Sequence, residues 1–157
     1  MPSSVHASPE QVISLEMLES VEQQLTQLLV SNAHAKRRLA SQLQENLPPA
    51  AVPVLGMALR EDQISQSEIG ELLMVDKASL SRLVTRLEDA GLLVRTLDPH
   101  DRRVSRISAT EQARKRWGEI MDEQRTLWIS KMRGWPNEDL RRLVALLGRL
   151  NEDLRQG

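Results

Sequence analysis

The sequence has 157 residues, which is long enough for one domain with a buried core, and it carries a net charge of −1. It contains no cysteine, which excludes a disulfide framework and a thiol redox switch. It also lacks an apolar run of about 18 residues and a signal-peptide pattern, so it predicts a cytoplasmic protein without a membrane span.

Residues 10–46 predict the first helical element, because they contain neither Gly nor Pro and repeat apolar residues at helical spacing. The segment is either one long helix or two helices with a break near Ser31-Asn32. Its apolar positions are 12, 15, 18, 21, 25, 28, 29, 39 and 43.

A short helix is predicted to begin after Ser65. Ser65 and Glu68 have the spacing of a capping box, in which each side chain binds an unpaired backbone amide of the first turn. Ile69, Leu72 and Leu73 mark the face that we expect to be buried.

The sequence 74–76, Met-Val-Asp, predicts a turn into a second helix over 77–90, with Asp76 as its N-cap and Gly91 as the left-handed residue after its end. Its inward positions are Leu80, Leu83, Val84 and Leu87. The residues left on the outer face are Lys77, Ser79, Ser81, Arg82 and Arg86. Such a face is typical of a helix that reads the DNA major groove.

Residues 92–97 and 103–108 predict two strands joined by 98–102, where Asp98-Pro99 favours a turn. The resulting β-hairpin has an arginine-rich tip that suits the narrow minor groove. Residues 76–116 hold ten Lys and Arg against six Asp and Glu, so the basic residues are concentrated in this part of the chain.

Two further helices are predicted after the hairpin. Thr110 can cap a helix from 111 to about 133, and the last helix runs from 137 to about 155. The apolar stripe of the last helix consists of Leu140, Leu143, Val144, Leu147, Leu150 and Leu154. Long terminal helices with such stripes favour burial against a second copy of the chain.

Residues 66–73, 75–84, 86–92, 98–103 and 108–110 together resemble the MarR (multiple antibiotic resistance regulator) family of winged-helix transcription factors, whose wing motif Asp-x-Arg is matched by Asp101 and Arg103. The resemblance runs from about Val21 to Leu154. It implies a mainly α fold with a small β-hairpin wing and one domain over 1–157. In that domain a winged helix-turn-helix over about 50–108 lies between dimerisation helices over about 10–46 and 111–155.

The implied function is that of a homodimeric transcriptional regulator, a repressor that binds a pseudo-palindromic site on double-stranded DNA. Ser79, Ser81 and Arg82 would face base edges and phosphates in the major groove, and Lys77 and Arg86 would neutralise phosphates. In the wing, Arg103 would enter the minor groove with its guanidinium held by Asp101, and Arg102 and Arg106 would contact the DNA backbone. The alternative for each arginine is an ordinary solvated side chain.

Members of this family commonly release DNA when a small phenolic or aromatic carboxylate ligand binds between the dimer helices and the winged domain. The weak candidates for such a site are Arg37, Arg38, Trp117 and Trp128. For the two Trp residues, a plain core position is the simpler interpretation.

The sequence predicts no enzyme, no metal site and no cofactor. Its three His residues, His6, His34 and His100, do not form a ligand pattern, and no nucleophile motif is present. The alternative function is a winged-helix module that binds protein, although such a module would more often expose apolar residues on its recognition face.

Four residues depart from the family pattern. Met74 stands where Gly is common in the turn, which could tilt the recognition helix. Pro53 and Gly56 interrupt residues 49–60, so a helix there is expected to start near Pro53 or to kink at it. Ala113 replaces a usual Gly after the hairpin.

Overall fold

The computed structural model describes residues 14–156. The chain divides into two units, Met1–Ala113 and Arg114–Gly157. The elements are α1 (Leu15–Leu43), α2 (Ala51–Arg60), β1 (Ile64–Ser65), α3 (Gln66–Leu73), α4 (Lys77–Asp89), β2 (Leu93–Leu97), β3 (Ser105–Ala109), α5 (Glu111–Met132) and α6 (Asn137–Gln156). The predicted fold class, mainly α with a small wing, is confirmed.

Helix α1 is one continuous helix of 29 residues, so the break considered near Ser31-Asn32 is absent. In a helix interior, Ser and Asn each cost about 0.5 kcal/mol relative to Ala. This cost is too small to interrupt a helix in a segment that contains no Gly or Pro. Ser14 caps the helix by accepting a hydrogen bond from the Met17 amide. The predicted start at residue 10, apolar position 12 and His6 lie outside the described residues.

Helix α2 accommodates Pro53 in its first turn. The helix begins at Ala51, two residues before the proline, close to the predicted start. Amides of the first turn have no partner within a helix, so the missing N–H of Pro53 removes no hydrogen bond.

Helix α3 begins with the predicted capping box: the Glu68 amide donates to Ser65 Oγ at 3.1 Å, and the Ser65 amide donates to Glu68 Oε2 at 2.8 Å. The prediction that Leu72 is buried is wrong, because its side chain is 67% exposed. Ile69 is fully buried, and Gly70 faces α4 so closely that an added Cβ would lie 3.3 Å from the Val75 carbonyl oxygen and 3.4 Å from Leu80 Cδ2. The contact face of α3 is therefore centred nearer Gly70 than Leu72.

The turn between α3 and α4 contains a backbone feature that is rare outside glycine. Met74 has φ 52° and ψ 41°, the left-handed conformation, and its side chain is 95% exposed. Asp76 then caps α4, as predicted, by accepting from the Ser79 amide at 2.9 Å. Gly91 has φ +68°, in agreement with its predicted role at the end of α4.

The sheet has three antiparallel strands in the order β1-β3-β2, so the predicted hairpin is extended by a strand that the sequence did not indicate. Ile64 of β1 pairs with Ile107, and Leu97 of β2 pairs with Ser105. The second hairpin strand begins at Ser105 and not at Arg103, because residues 98–104 form the loop at the tip. We call this loop the wing loop.

The core of the first unit lies where α2, α3 and α4 pack with the sheet. Its large, fully buried side chains are Val54, Leu55, Ile69, Leu80, Val84, Leu87, Leu92 and Ile107. All are aliphatic and come from α2, α3, α4, β3 and the turn before β2, so this core fixes α4 and the wing strands as one piece.

The second unit contains most of α5 and all of α6. No residue of α6 is buried, and its predicted stripe is exposed at Val144, Leu147 and Leu154. Trp128 of α5 is about half exposed, with Lys131 Nζ 5.8 Å from the centre of its ring. Among the described residues, no helix is long and apolar enough to cross a membrane.

Candidate nucleic-acid interface

The outer face of α4 carries the residues that the sequence singled out. Lys77, Arg82 and Arg86 are exposed, whereas Ser79 and Ser81 are half-buried at the flanks of the helix. The exposed face also includes Ala78 and Thr85, which the sequence analysis did not name. They follow from the helical period, because both lie opposite the buried residues Leu80, Val84 and Leu87.

Hydrogen bonds order the first turn of α4. The Ser79 amide donates to the Asp76 carboxylate, and this bond is the main cause that lowers the pKa of Asp76. Arg82 Nη2 donates to Ser79 Oγ at 3.3 Å. The guanidinium of Arg82 therefore lies over the N-terminal half of the outer face, where a recognition helix contacts base edges.

The wing loop is organised by Asp98. Its Oδ1 accepts hydrogen bonds from the amides of His100 at 2.8 Å and Asp101 at 3.2 Å, and its Oδ2 accepts one from Arg106 Nε at 2.8 Å. The hydrogen bond from the His100 amide, followed by that from Arg106, lowers the pKa of Asp98 from 3.8 to about 2. The backbone closes the loop with bonds from the Asp98 amide to the Val104 carbonyl and from the Val104 amide to the Asp101 carbonyl.

Asp101 has a different role from the expected one. Its Oδ1 accepts from the backbone amide of Arg103 at 2.9 Å, and the described residues show no ion pair between the carboxylate and the Arg103 guanidinium. Because this bond uses the main chain, it shapes the loop and leaves the Arg103 side chain exposed. Arg102 is exposed as well.

Arg106, expected at the DNA backbone, is engaged in ion pairs. It contacts Asp98 through Nε, and its Nη1 lies 4.0 Å from Glu68 Oε2. Arg95 is similarly paired with Glu88, with 2.8 Å between Nη2 and Oε2. The basic cluster of the sequence is thus divided between paired arginines and the exposed side chains of α4 and the wing loop.

A groove of about 600 Å³ lies between the wing on one side and α3 with the start of α4 on the other. Lys77 and Leu80 lie on its α4 side, Met74 lies at the turn, and Arg103 and Val104 lie on its wing side. Lys77 and Arg103 place one cation on each side of the groove, but Glu71 and Asp76 also line it, so its lining carries no excess of positive charge.

The four candidates for a ligand site lie on two helices, α1 and α5. Arg37 and Arg38 are exposed on α1, while on α5 Trp117 is half-buried and Trp128 is exposed. The ligand site proposed for these residues stays a prediction. His34 and His100 are exposed, and a group of three metal-ligating side chains does not occur within residues 14–156.

Comparison with known proteins gives consistent matches. A family model described as "MarR family" matches residues 45–104, which run from the segment after α1 through the wing loop. The chain is 26% identical over 101 residues to the uncharacterized HTH-type transcriptional regulator YdgJ of Bacillus subtilis, an alignment covering 64% of the chain and 62% of YdgJ. The chain thus spans less than two thirds of the length of this relative.

Two further proteins are similar to a larger share of the chain. The HTH-type transcriptional repressor MdtR of Bacillus subtilis is 24% identical over 112 residues, covering 71% of the chain and 72% of MdtR. The crystal structure of MarR superposes with a TM-score of 0.69 at 25% identity, covering 87% of the chain and 98% of that structure. With the capping box, the αL turn and the wing in the observed order, residues 45–104 match the MarR family model, and the chain has the winged helix-turn-helix fold of the MarR structure.

Proposed function

We propose that the protein is a homodimeric transcriptional repressor that binds a specific site on double-stranded DNA. The observation that carries the proposal is the exposed basic face of α4, formed by Lys77, Arg82 and Arg86, in a winged helix-turn-helix fold. The relative MdtR is named a transcriptional repressor, which supports repression over activation.

The residues of α4 divide into two roles. Arg82, Ser79 and Ser81 read base edges in the major groove, with Thr85 added because it shares the exposed face of Arg82. Lys77 and Arg86 bind phosphates, which adds affinity without sequence choice. This division accounts for the polar, cationic outer face of α4 and disfavours a protein-binding winged helix.

The wing loop supplies the second contact. The exposed Arg103 enters the minor groove, where an A/T-rich sequence narrows the groove and strengthens its negative potential. Arg102 binds the adjacent backbone. Arg106 does not bind DNA in this arrangement, because its guanidinium is held by Asp98 and lies near Glu68.

Dimerisation is proposed from apolar side chains that the described chain leaves exposed on its long helices. On α1 they include Leu15, Leu18, Val21, Leu28 and Leu29, and on α6 Val144, Leu146, Leu147 and Leu154. Exposed apolar surface of this extent typically marks an interface between chains. A two-fold dimer would present two copies of α4 to half-sites about one DNA turn apart.

Release of DNA by a small phenolic or aromatic carboxylate ligand is the proposed regulation. Such a ligand would act by favouring a dimer geometry in which the two α4 helices no longer match the half-sites. Adding aromatic carboxylates to a preformed protein–DNA complex tests it, because release should saturate with ligand concentration.

The experiment for DNA binding is fluorescence anisotropy with a labelled duplex from upstream of the protein's own gene. A salt series and excess nonspecific competitor accompany it. Saturable binding that survives the competitor, at two chains per site and with a steep salt dependence, is expected. Absence of binding even at low salt would refute the DNA-binding function.

Three variants refine the test. Arg82→Ala should weaken specific binding by about 1–3 kcal/mol and blur sequence preference. Arg103→Ala should weaken binding most on duplexes that are A/T-rich at the wing positions. Arg125→Ala on α5 is the matched control, because this exposed arginine pairs only with its neighbour Asp122 among the described contacts and should leave binding unchanged.

A further inference from the structure

We propose that Asp98 and Arg106 are positioning residues that hold the wing loop in its DNA-binding conformation, and that Arg106 itself does not contact DNA. The inference deepens the proposed function and rests on it. According to this proposal, the conformation of the wing loop depends on two residues that lie outside the Asp101–Arg103 motif.

Asp98 lies at the centre of the hydrogen bonds that order the wing loop. This residue directly follows β2, and its carboxylate binds the amides of His100 and Asp101 with one oxygen and Arg106 Nε with the other. Its side chain is only 12% exposed. One carboxylate thereby fixes both the turn at the start of the wing loop and the strand that leaves it.

Arg106 lies between the wing loop and helix α3. It lies on the central strand β3, opposite Ser65 of β1 and Thr96 of β2. From there its guanidinium reaches Asp98 on one side and approaches Glu68 on the other. Because Glu68 also closes the capping box of α3, Arg106 links the wing loop to the first helix of the helix-turn-helix.

Two other charged residues of the wing loop, Asp101 and Arg103, are not joined by an ion pair among the described contacts. Among the described contacts, the Asp101 carboxylate accepts only from the backbone amide of Arg103, so it does not anchor the exposed Arg103 side chain as an ion pair would. The placement of Arg103 over the minor groove therefore depends on the backbone of the loop, and the loop backbone depends on Asp98. Loss of the Asp98–Arg106 pair should release the loop while the buried core of the sheet stays intact.

The test compares Asp98→Asn, Arg106→Gln and the double variant with a charge-matched control, Arg102→Gln. Arg102 belongs to the same loop, and the described residues show no ion pair to it. Amide hydrogen exchange over residues 98–104, measured without DNA, reports the order of the loop. Thermal unfolding confirms that each variant is folded.

Faster exchange over 98–104 is expected in both single variants, with no further increase in the double variant, and exchange should be unchanged in Arg102→Gln. Unchanged exchange in Arg106→Gln would overturn the proposal. This arm needs no DNA, so it remains decisive even if the wild-type protein fails to bind the upstream duplex, which would refute the proposed function alone.

DNA binding separates positioning from contact. Arg106→Gln and Asp98→Asn should each weaken specific binding about tenfold, within the range of coupled pairs. They should also reduce the preference for A/T over G/C pairs at the wing positions, a readout that general destabilisation would not move. The salt slope should stay unchanged in Arg106→Gln and fall by about 0.9 in Arg102→Gln. A fall of that size in Arg106→Gln, with Asp98→Asn unaffected, would show that Arg106 contacts phosphate.

Discussion

Met74 carries a backbone strain that a single substitution should relieve. Its φ of 52° lies in the left-handed region, which costs a residue with a Cβ about 1–2 kcal/mol. Glycine avoids that cost but gives up about 0.5–1 kcal/mol more conformational entropy on folding. Since the Met74 side chain is 95% exposed, its removal sacrifices almost no packing. Met74→Gly is therefore expected to stabilise the fold by about 0.5–1 kcal/mol.

The assay is thermal unfolding followed by far-UV circular dichroism at one fixed protein concentration, because dimerisation would make the melting temperature depend on concentration. For a chain of this size the expected gain raises Tm by roughly 1–4 °C. Met74→Ala is the matched control, since it removes the same exposed side chain and keeps the Cβ that causes the strain. An equal gain for Ala and Gly, or no gain for Gly, would refute the argument from backbone strain.

Two further predictions concern polar side chains of the first unit. The Thr110 hydroxyl donates to the Gly91 carbonyl at 2.7 Å and accepts from the Ala113 amide at 3.1 Å. Thr110→Val should therefore lower the free energy of unfolding, measured in urea, by about 2 kcal/mol, whereas Thr110→Ser should change it little. Equal losses in the two variants would contradict this role of the hydroxyl. For Asp98 the folded pKa lies below its ordinary value of 3.8, so its contribution to wing order is complete above that value and is lost as the pH falls through about 2. A carbon-13 NMR titration should place the carboxyl midpoint near that lower value, and a midpoint near 3.8 would contradict the hydrogen bonds described.

The main elements could be predicted from the sequence because local signals specify them. The capping box at Ser65 and Glu68, the cap at Asp76 and the glycine at 91 each require only a few neighbouring residues, and each is confirmed. The prediction for Leu72 is wrong because the apolar pattern alone places the buried face of α3 at that residue. The face is centred near Gly70, where the lack of a side chain lets α4 approach, and a glycine adds nothing to an apolar pattern.

The features that escaped prediction depend on contacts between distant segments. Strand β1 has only two residues and exists through its pairing with β3, more than forty positions further along the chain. The partners of Arg106 follow from the same pairing, since β3 places it opposite Ser65 and near Glu68. Neither pairing leaves a periodic signal in the sequence, so the arginines of the wing could be grouped by composition but not divided into paired and exposed residues.

The exposed Trp128 is one of three Trp residues that determine the intrinsic fluorescence of the protein. The three Trp residues, at 117, 128 and 135, are the only strong near-ultraviolet chromophores of a chain without Tyr or Phe. Intrinsic fluorescence therefore originates entirely from residues 117–135, whereas the recognition helix and the wing emit nothing. A change in that fluorescence when DNA is added would report a response outside the DNA-reading elements, without any introduced label.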